Sequence, residues 1–253
     1  SMKKNIAVLP GDGIGPEIIQ EAVKVLDAVA KAYDHDFHYT YADMGAIAID
    51  KTGTPLPEAT LKASLASDAV LFGAIGDPKY DNDPNAKVRP EQGLLAIRKA
   101  LGLFCNIRPV KTFDALLHQS PLKEERVKGT DFEMYRELTG GIYFGEKGRR
   151  DGGETAFDNC VYTRVEVQRL AKKGFELAMT RSKKLCCVDK ANVLESSRLW
   201  RETVQAMEKD YPEIEVSYEF VDAVAMRLVQ WPNSYDVLIT ENLFGDILTD
   251  EAS

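Results

Sequence analysis

Residues 8–19 read VLPGDGIGPEII, a short apolar run, three glycines and the start of a helical pattern. The stretch decides between a Rossmann dinucleotide turn and some other α/β architecture. A Rossmann fingerprint needs G-x-G-x-x-G between a strand and a helix, with an acid about twenty residues on to hold a ribose hydroxyl. Here the glycines are Gly11, Gly13 and Gly15, and the position of the required third glycine is Pro16. The match fails there. What remains is a strand over Ile6–Leu9, a tight glycine turn, and a proline suited to the first turn of a helix.

Outward from that turn the chain alternates helix and strand. Ile18, Ile19, Ala22, Val23, Leu26, Val29, Ala30 and Tyr33 recur every three or four residues and predict a helix ending before Asp34-His35-Asp36. Phe37, Tyr39 and Tyr41 alternate as a strand. Helices are expected at 57–66 and 91–101, with a buried strand at 69–72. After residues 105–110 the texture changes to Gly140-Gly141, FGEKGRRDGGE and an alternating 161–167, which together suggest a protruding β ribbon. A second α/β pattern follows, with helices over 165–179, 196–207 and 223–229 and strands over 185–188, 214–221 and 235–239. The expected division is 1–103 and 104–253.

The 253 residues are 44% hydrophobic and 28% charged, enough to bury a sizeable core, and the formal net charge is −8. That charge argues against a general nucleic-acid binder, because the phosphate backbone would be repelled. Any anionic ligand has to be met by local arginines. The apolar runs are too short to cross a bilayer and no signal sequence is visible, so a soluble cytoplasmic protein is expected. Cys105, Cys160, Cys186 and Cys187 have no C-x-x-C spacing and read as reduced thiols. With three histidines and none beside a nucleophile motif, proton transfer would fall to Lys, Tyr or Asp.

Three constellations carry chemistry. In ENLFGDILTDEAS, Asp246 and Asp250 are four apart, so a helix aims both carboxylates the same way, and Mg²⁺ or Mn²⁺ would relieve their repulsion. VDKANVLE places Lys190 and Asn192 just after a strand. Arg98, Arg108 and Arg136, with Tyr143 nearby in sequence to the last, offer planar forks for a di- or tricarboxylate.

Taken in order, GDGIGPE, NIRP, RELTGGIYFGE, DKANVL and FGDILTDEAS resemble the isocitrate and isopropylmalate dehydrogenase family of metal-dependent β-decarboxylating dehydrogenases, from Ile6 to Ser253. The resemblance implies a doubly wound α/β fold of two domains without the Rossmann fingerprint. PEQGLLAIRK is closest to the isopropylmalate branch. Where isocitrate enzymes carry Ser and Asn ahead of the first substrate arginine, this chain has Leu94 and Leu95, which suit an isopropyl group and would leave a third carboxylate desolvated.

Carried over motif by motif, the resemblance implies that Arg98, Arg108 and Arg136 bind substrate carboxylates. Asp222, Asp246 and Asp250 hold Mg²⁺ or Mn²⁺, with Asp222 also touching substrate. Gly76, Asp77, Pro78, Lys79, Glu91 and Asn192 face the nicotinamide half of NAD. Lys190 relays a proton from the substrate hydroxyl and Tyr143 donates one to the enol carbon. Lys190 and Asp222 would come from the neighbouring subunit, making at least a homodimer. The expected reaction converts 3-isopropylmalate to 2-oxoisocaproate in leucine biosynthesis, with malate, tartrate or homoisocitrate as the alternative substrates. A dead regulatory subunit is disfavoured because Lys190, Tyr143 and all three aspartates are present. The resemblance also leads one to expect a natural protein longer by roughly 100 residues, one more domain's worth of chain, whose return would cover the apolar helix 18–33 and the strand 69–72.

Overall fold

The opening apolar run becomes β1 (Lys3–Gly11), and the pattern after it becomes α1 (Gly15–Tyr33), stopped by Asp34 in the left-handed conformation. The computed structural model describes residues 1–252, which divide into two compact units, Ser1–Gly102 and the part from Leu103 onward. The last serine of FGDILTDEAS, at the end of the expected second domain, lies outside the described residues.

The first unit continues through β2 (Asp36–Tyr41), α2 (Ala46–Thr52), α3 (Glu58–Ala66), β3 (Ala69–Ala74), the short α4 (Pro78–Asp81) and α5 (Pro90–Ala100). Its strands form a parallel sheet in the order β2-β1-β3. Ile6, Val8 and Ile19 pack on one side of β1, and Leu9 packs with Met44 and Ile97 on the other. Ile18, Val25, Val29 and Tyr33 of α1 are exposed, and β3 is an edge strand.

Two of the three glycines of the opening stretch serve backbone packing. A Cβ on Gly11 would lie 1.9 Å from the Ala74 carbonyl oxygen, and one on Gly15 would lie 2.0 Å from that of Pro10. Gly11 also has a φ of 74°. The turn is therefore pressed against β1 and β3, with the Asp12 N–H donating to Ala74 O at 2.8 Å. Gly11→Ala is expected to destabilise the protein by about 1–3 kcal/mol through overpacking, in addition to about 1–2 kcal/mol of left-handed strain. Gly13→Ala, with no atom within 4 Å of its Cβ, should cost only about 1–2 kcal/mol of left-handed strain. Urea midpoints of the two variants check the ranking; a larger loss at Gly13 would contradict it.

The second unit begins with β4 (Cys105–Lys111), a 3₁₀ turn at Asp114–Gln119, α6 (Glu124–Val127) and β5 (Asp131–Glu137). A ribbon, β6 (Lys147–Arg150) with β7 (Thr155–Asp158), precedes α7 (Arg164–Met179), β8 (Lys184–Asp189), α8 (Glu195–Met207), β9 (Glu215–Phe220), α9 (Val221–Gln230), β10 (Val237–Thr240) and α10 (Asn242–Ala252). The main sheet runs β4-β5-β10-β8-β9, with β4 antiparallel and the other pairs parallel. Its two faces are buried by different helices. Leu185, Cys187, Val237 and Ile239 meet α7 and α8, while Cys186, Val188 and Leu238 meet α9 and α10. The period-2 alternation of a strand produces this split and makes the unit doubly wound. All four cysteines are free thiols. Among the described residues no helix is long and apolar enough to cross a membrane.

One expectation needs correction, and one strand has no counterpart among the expected elements. Residues 161–167 are not part of the ribbon, which is confined to β6 and β7. Thr163 instead starts α7: its hydroxyl accepts the Glu166 N–H while the Glu166 carboxylate accepts the Thr163 N–H, and this capping box overrides the alternation. Asp131–Glu137, to which the sequence reading assigned no element, forms β5, whose buried Arg136 and Glu137 disguise it.

Candidate active site

Arg136 lies near the end of β5, and the Thr240↔Arg136 pairing brings the start of α10 beside it. The side chain is only 4% exposed, so its charge needs partners. Nε and Nη2 both donate to Asn242 Oδ1, at 3.0 and 2.7 Å, and Nη1 donates to Asp246 Oδ1 at 3.2 Å. Gly245 permits this approach, since a Cβ there would come within 2.6 Å of Arg136 Cγ. Tyr143, in the turn after β5, donates its hydroxyl to Asp246 Oδ2 at 2.7 Å. Burial first, and then the Asp246 bond, push the phenol up to about 12, so it keeps its proton at neutral pH. Arg108 is on β4, where Asn106 pairs with Arg136, so the alternation places Arg108 and Arg136 on one face of the sheet. Arg108 Nε donates to Asn106 Oδ1 at 2.9 Å.

A separate cluster forms at the end of β8. Buried Asp189 accepts from Arg201 Nε and Nη2, both at 2.8 Å, and Ser197 Oγ accepts the Lys190 N–H at 2.9 Å. So fixed, Lys190 Nζ donates to Asp222 Oδ1 at 2.7 Å, in the first turn of α9. This bond holds the Asp222 carboxyl below the usual carboxylate range. Asn192 is exposed in the turn that follows Lys190.

The donor chemistry of Asp222, Asp246 and Asp250 fits a hard divalent cation. Asp246 and Asp250 lie one turn apart on α10. No group of three His, Cys, Asp or Glu side chains able to hold a metal occurs among the described residues of one chain. Asp222 is thus not gathered with the other two. One chain holds Asp246 and Asp250 on one helix and Asp222, beside Lys190, at another place.

In the first unit, Glu91, Leu94, Leu95 and Arg98 fall at i, i+3, i+4 and i+7 of α5 and share one helix face. Leu94 packs against the cluster of Leu9, Met44 and Ile97, whereas Leu95 is half-buried outside that cluster. Gly76 has a φ of 126°, and a Cβ there would sit 3.6 Å from Glu91 Oε1. Asp77 caps α4 by accepting the Lys79 N–H at 3.0 Å, with Pro78 in the first turn. Lys79 Nζ donates to Asp50 at 2.7 Å. Gly76, Asp77, Pro78, Lys79 and Glu91 are therefore neighbours within one unit, while Asn192 belongs to the other.

The sequence reading missed the residues that hold these groups. Asp12, within GDGIGPE, accepts the N–H groups of Ala46, Ile47 and Gly76 at 2.7, 2.9 and 3.1 Å, tying the opening turn to the loop at Gly76. Glu137 is fully buried and accepts N–H bonds from Thr139 and Gly140, while burial pushes its carboxyl up to about 7. Asn242 joins β5, the turn and α10. No local pattern marks them: Asp12 stands between two glycines, Glu137 follows Arg136 and Asn242 follows Glu241, so only the folded chain shows that each is a buried polar group with its hydrogen bonds satisfied.

The chain matches the isocitrate/isopropylmalate dehydrogenase family over residues 5–253. It is 58% identical to the 3-isopropylmalate dehydrogenase of Bacteroides fragilis, over 100% of this chain and 71% of that protein. With the Bacillus subtilis 3-isopropylmalate dehydrogenase it shares 50% identity, over 100% of this chain and 70% of that one. Among solved structures, the isocitrate dehydrogenase of Methylococcus capsulatus superposes with a TM-score of 0.81 at 33% identity, covering 98% of this chain and 69% of that one. An apo β-decarboxylating dehydrogenase from Thermococcus kodakarensis gives a TM-score of 0.73 at 35% identity, covering 98% and 67%.

Proposed function

Because the chain belongs to the isocitrate/isopropylmalate dehydrogenase family, we propose that it oxidatively decarboxylates 3-isopropylmalate to 2-oxoisocaproate, as a cytoplasmic NAD-dependent enzyme of leucine biosynthesis. The observation that carries this reading is the set of relatives at 50–58% identity across the whole chain, all bearing the 3-isopropylmalate dehydrogenase name. They do not favour the malate, tartrate or homoisocitrate alternative.

Arg98, Arg108 and Arg136 bind the substrate carboxylates. Arg136 is preorganised by Asn242 and Asp246, so little side-chain ordering remains to be done on binding. Asp246 and Asp250 of one copy, with Asp222 of a second, form an all-carboxylate site for Mg²⁺ or Mn²⁺, which when bound supplies Lewis-acid stabilisation of the negative charge that develops on the substrate. Gly76, Asp77, Pro78, Lys79, Glu91 and Asn192 would hold the nicotinamide half of NAD⁺, which when bound would supply the hydride acceptor for oxidation at C2. Lys190 relays the proton of the C2 hydroxyl away from the reacting centre. The β-keto acid so formed releases its carboxylate as CO₂, and Tyr143, kept protonated by burial and by Asp246, donates a proton to the enol carbon. The homodimer supplies the Lys190–Asp222 pair of one copy to the Tyr143–Arg136–Asp246 cluster of the other.

Initial rates of NADH formation with 3-isopropylmalate, malate and isocitrate test the reading. The expected kcat/KM is highest for 3-isopropylmalate; a preference for either other acid would replace it. Leu95 shares the α5 face of Arg98 without the core role of Leu94, and we assign it to the isopropyl group. Leu95→Ala should reduce discrimination for 3-isopropylmalate over malate by about 1–3 kcal/mol. An unchanged ratio of specificity constants would return Leu95 to packing.

A further inference from the structure

We propose that Asn242 is a positioning residue that latches the substrate arginine and the Tyr143 turn to the start of the metal-binding helix, an inference that rests on the dehydrogenase reading above. Asn242 is 1% exposed and its amide is shared between two elements. Oδ1 accepts from both Nε and Nη2 of Arg136, and Nδ2 donates to the Gly140 carbonyl at 3.1 Å. Its own backbone N–H donates to Tyr162 Oη at 2.9 Å, fixing the residue at the first position of α10.

Gly140 is consequently held from both sides. Its N–H donates to the buried Glu137 carboxylate, and its carbonyl accepts from Asn242. The turn that carries Tyr143 follows directly, closed by Phe144 N–H and Gly145 N–H donating to Gly141 O at 3.2 and 3.1 Å. A shift of the Gly140 peptide would carry Tyr143 with it, and Tyr143 must meet Asp246 one turn into α10. One side chain therefore sets the relative positions of β5, the turn and α10. An amide suits this post because it accepts and donates at once. A carboxylate could only accept, and would face the Gly140 carbonyl with like charge.

The test uses Asn242→Asp, which keeps the shape and the Arg136 acceptor but loses the donor to Gly140, and Asn242→Ala, which loses both. Hydrogen–deuterium exchange of the ligand-free protein should accelerate in residues 139–145 of both variants. With saturating NAD⁺ and Mn²⁺, kcat on 3-isopropylmalate should fall by about 10²-fold, the cost of an ångström-scale misplacement. In Asn242→Asp the KM should also rise, because the new anion competes with substrate for Arg136. The Tm of Asn242→Asp should fall less than that of Asn242→Ala, because the Asp variant keeps the acceptor for the buried Arg136. Unchanged exchange over 139–145 overturns the latch. So does faster exchange with kcat and KM unaltered, which leaves Asn242 an ordinary structural bond. If the wild type fails on 3-isopropylmalate, the substrate reading falls, and the same exchange and kinetic criteria are applied to the latch with whichever of malate or isocitrate it oxidises.

Discussion

Lys190→Met is expected to lower kcat by about 10²–10⁴-fold, the range for removal of one general base, with the KM for 3-isopropylmalate little changed. Methionine keeps the length and apolar body of the lysine stem and removes the amine. The neighbouring Asp222 loses its 2.7 Å donor, and its carboxyl is no longer held below the usual range by that bond. The fold should barely notice. The pair's side chains are 27% and 67% exposed, and a solvent-exposed ion pair contributes about 0–1 kcal/mol. A large fall in kcat with an unaltered Tm is therefore diagnostic. A rise in KM with kcat intact would make Lys190 a binding group and leave the proton without an acceptor.

The second large effect is expected at Asp246→Asn. Asp246 receives Arg136 on Oδ1 and Tyr143 on Oδ2, at 3.2 and 2.7 Å. An ionised carboxylate has about four acceptor positions, so two remain for a cation. Asparagine removes the charge and one oxygen, and turns a donor toward either Arg136 or Tyr143, both of which already donate. The Mn²⁺ concentration needed for half-maximal activity should rise by more than the roughly 10–100-fold typical of losing an outer-shell partner. A readout free of turnover accompanies it: the Tyr143 phenol, relieved of the Asp246 anion and raised chiefly by burial, should titrate lower than in the wild type. Unchanged Mn²⁺ dependence would remove Asp246 from the metal site.

Much of this architecture is legible in the sequence because apolar residues announce it. The run Ile6–Leu9 and the period of residues 18–33 lead to β1 and α1, and Cys186-Cys187 within an apolar strand lead to β8, with each cysteine on a different face. Asp246 and Asp250 read correctly as helical neighbours because their spacing alone fixes it. β5 is hidden by the polar groups it exists to position: Arg136 and Glu137 interrupt the alternation, and the bonds that make them tolerable inside come from Asn242, Thr139 and Gly140. Asn242 is separated from Arg136 by 106 positions, so no local pattern announces the pair. The failure at 161–167 has a different cause. Val161, Thr163, Val165 and Val167 alternate like a strand, but the Thr163–Glu166 capping box and the longer apolar period through Phe175 decide for a helix.

The claim on which the mechanism stands is that the Lys190–Asp222 pair and the Tyr143–Arg136–Asp246 cluster, separate within one chain, meet between two copies. At a Mn²⁺ concentration just saturating for the wild type, Lys190→Met and Asp246→Asn should each keep only residual activity alone. Mixed, unfolded and refolded together, they form heterodimers in which one site receives Lys190 from one copy and Asp246 from the other, both intact. Random pairing of equal amounts into C₂ dimers predicts about a quarter of the wild-type activity. A mixture no more active than the average of the two separate variants would contradict the shared site.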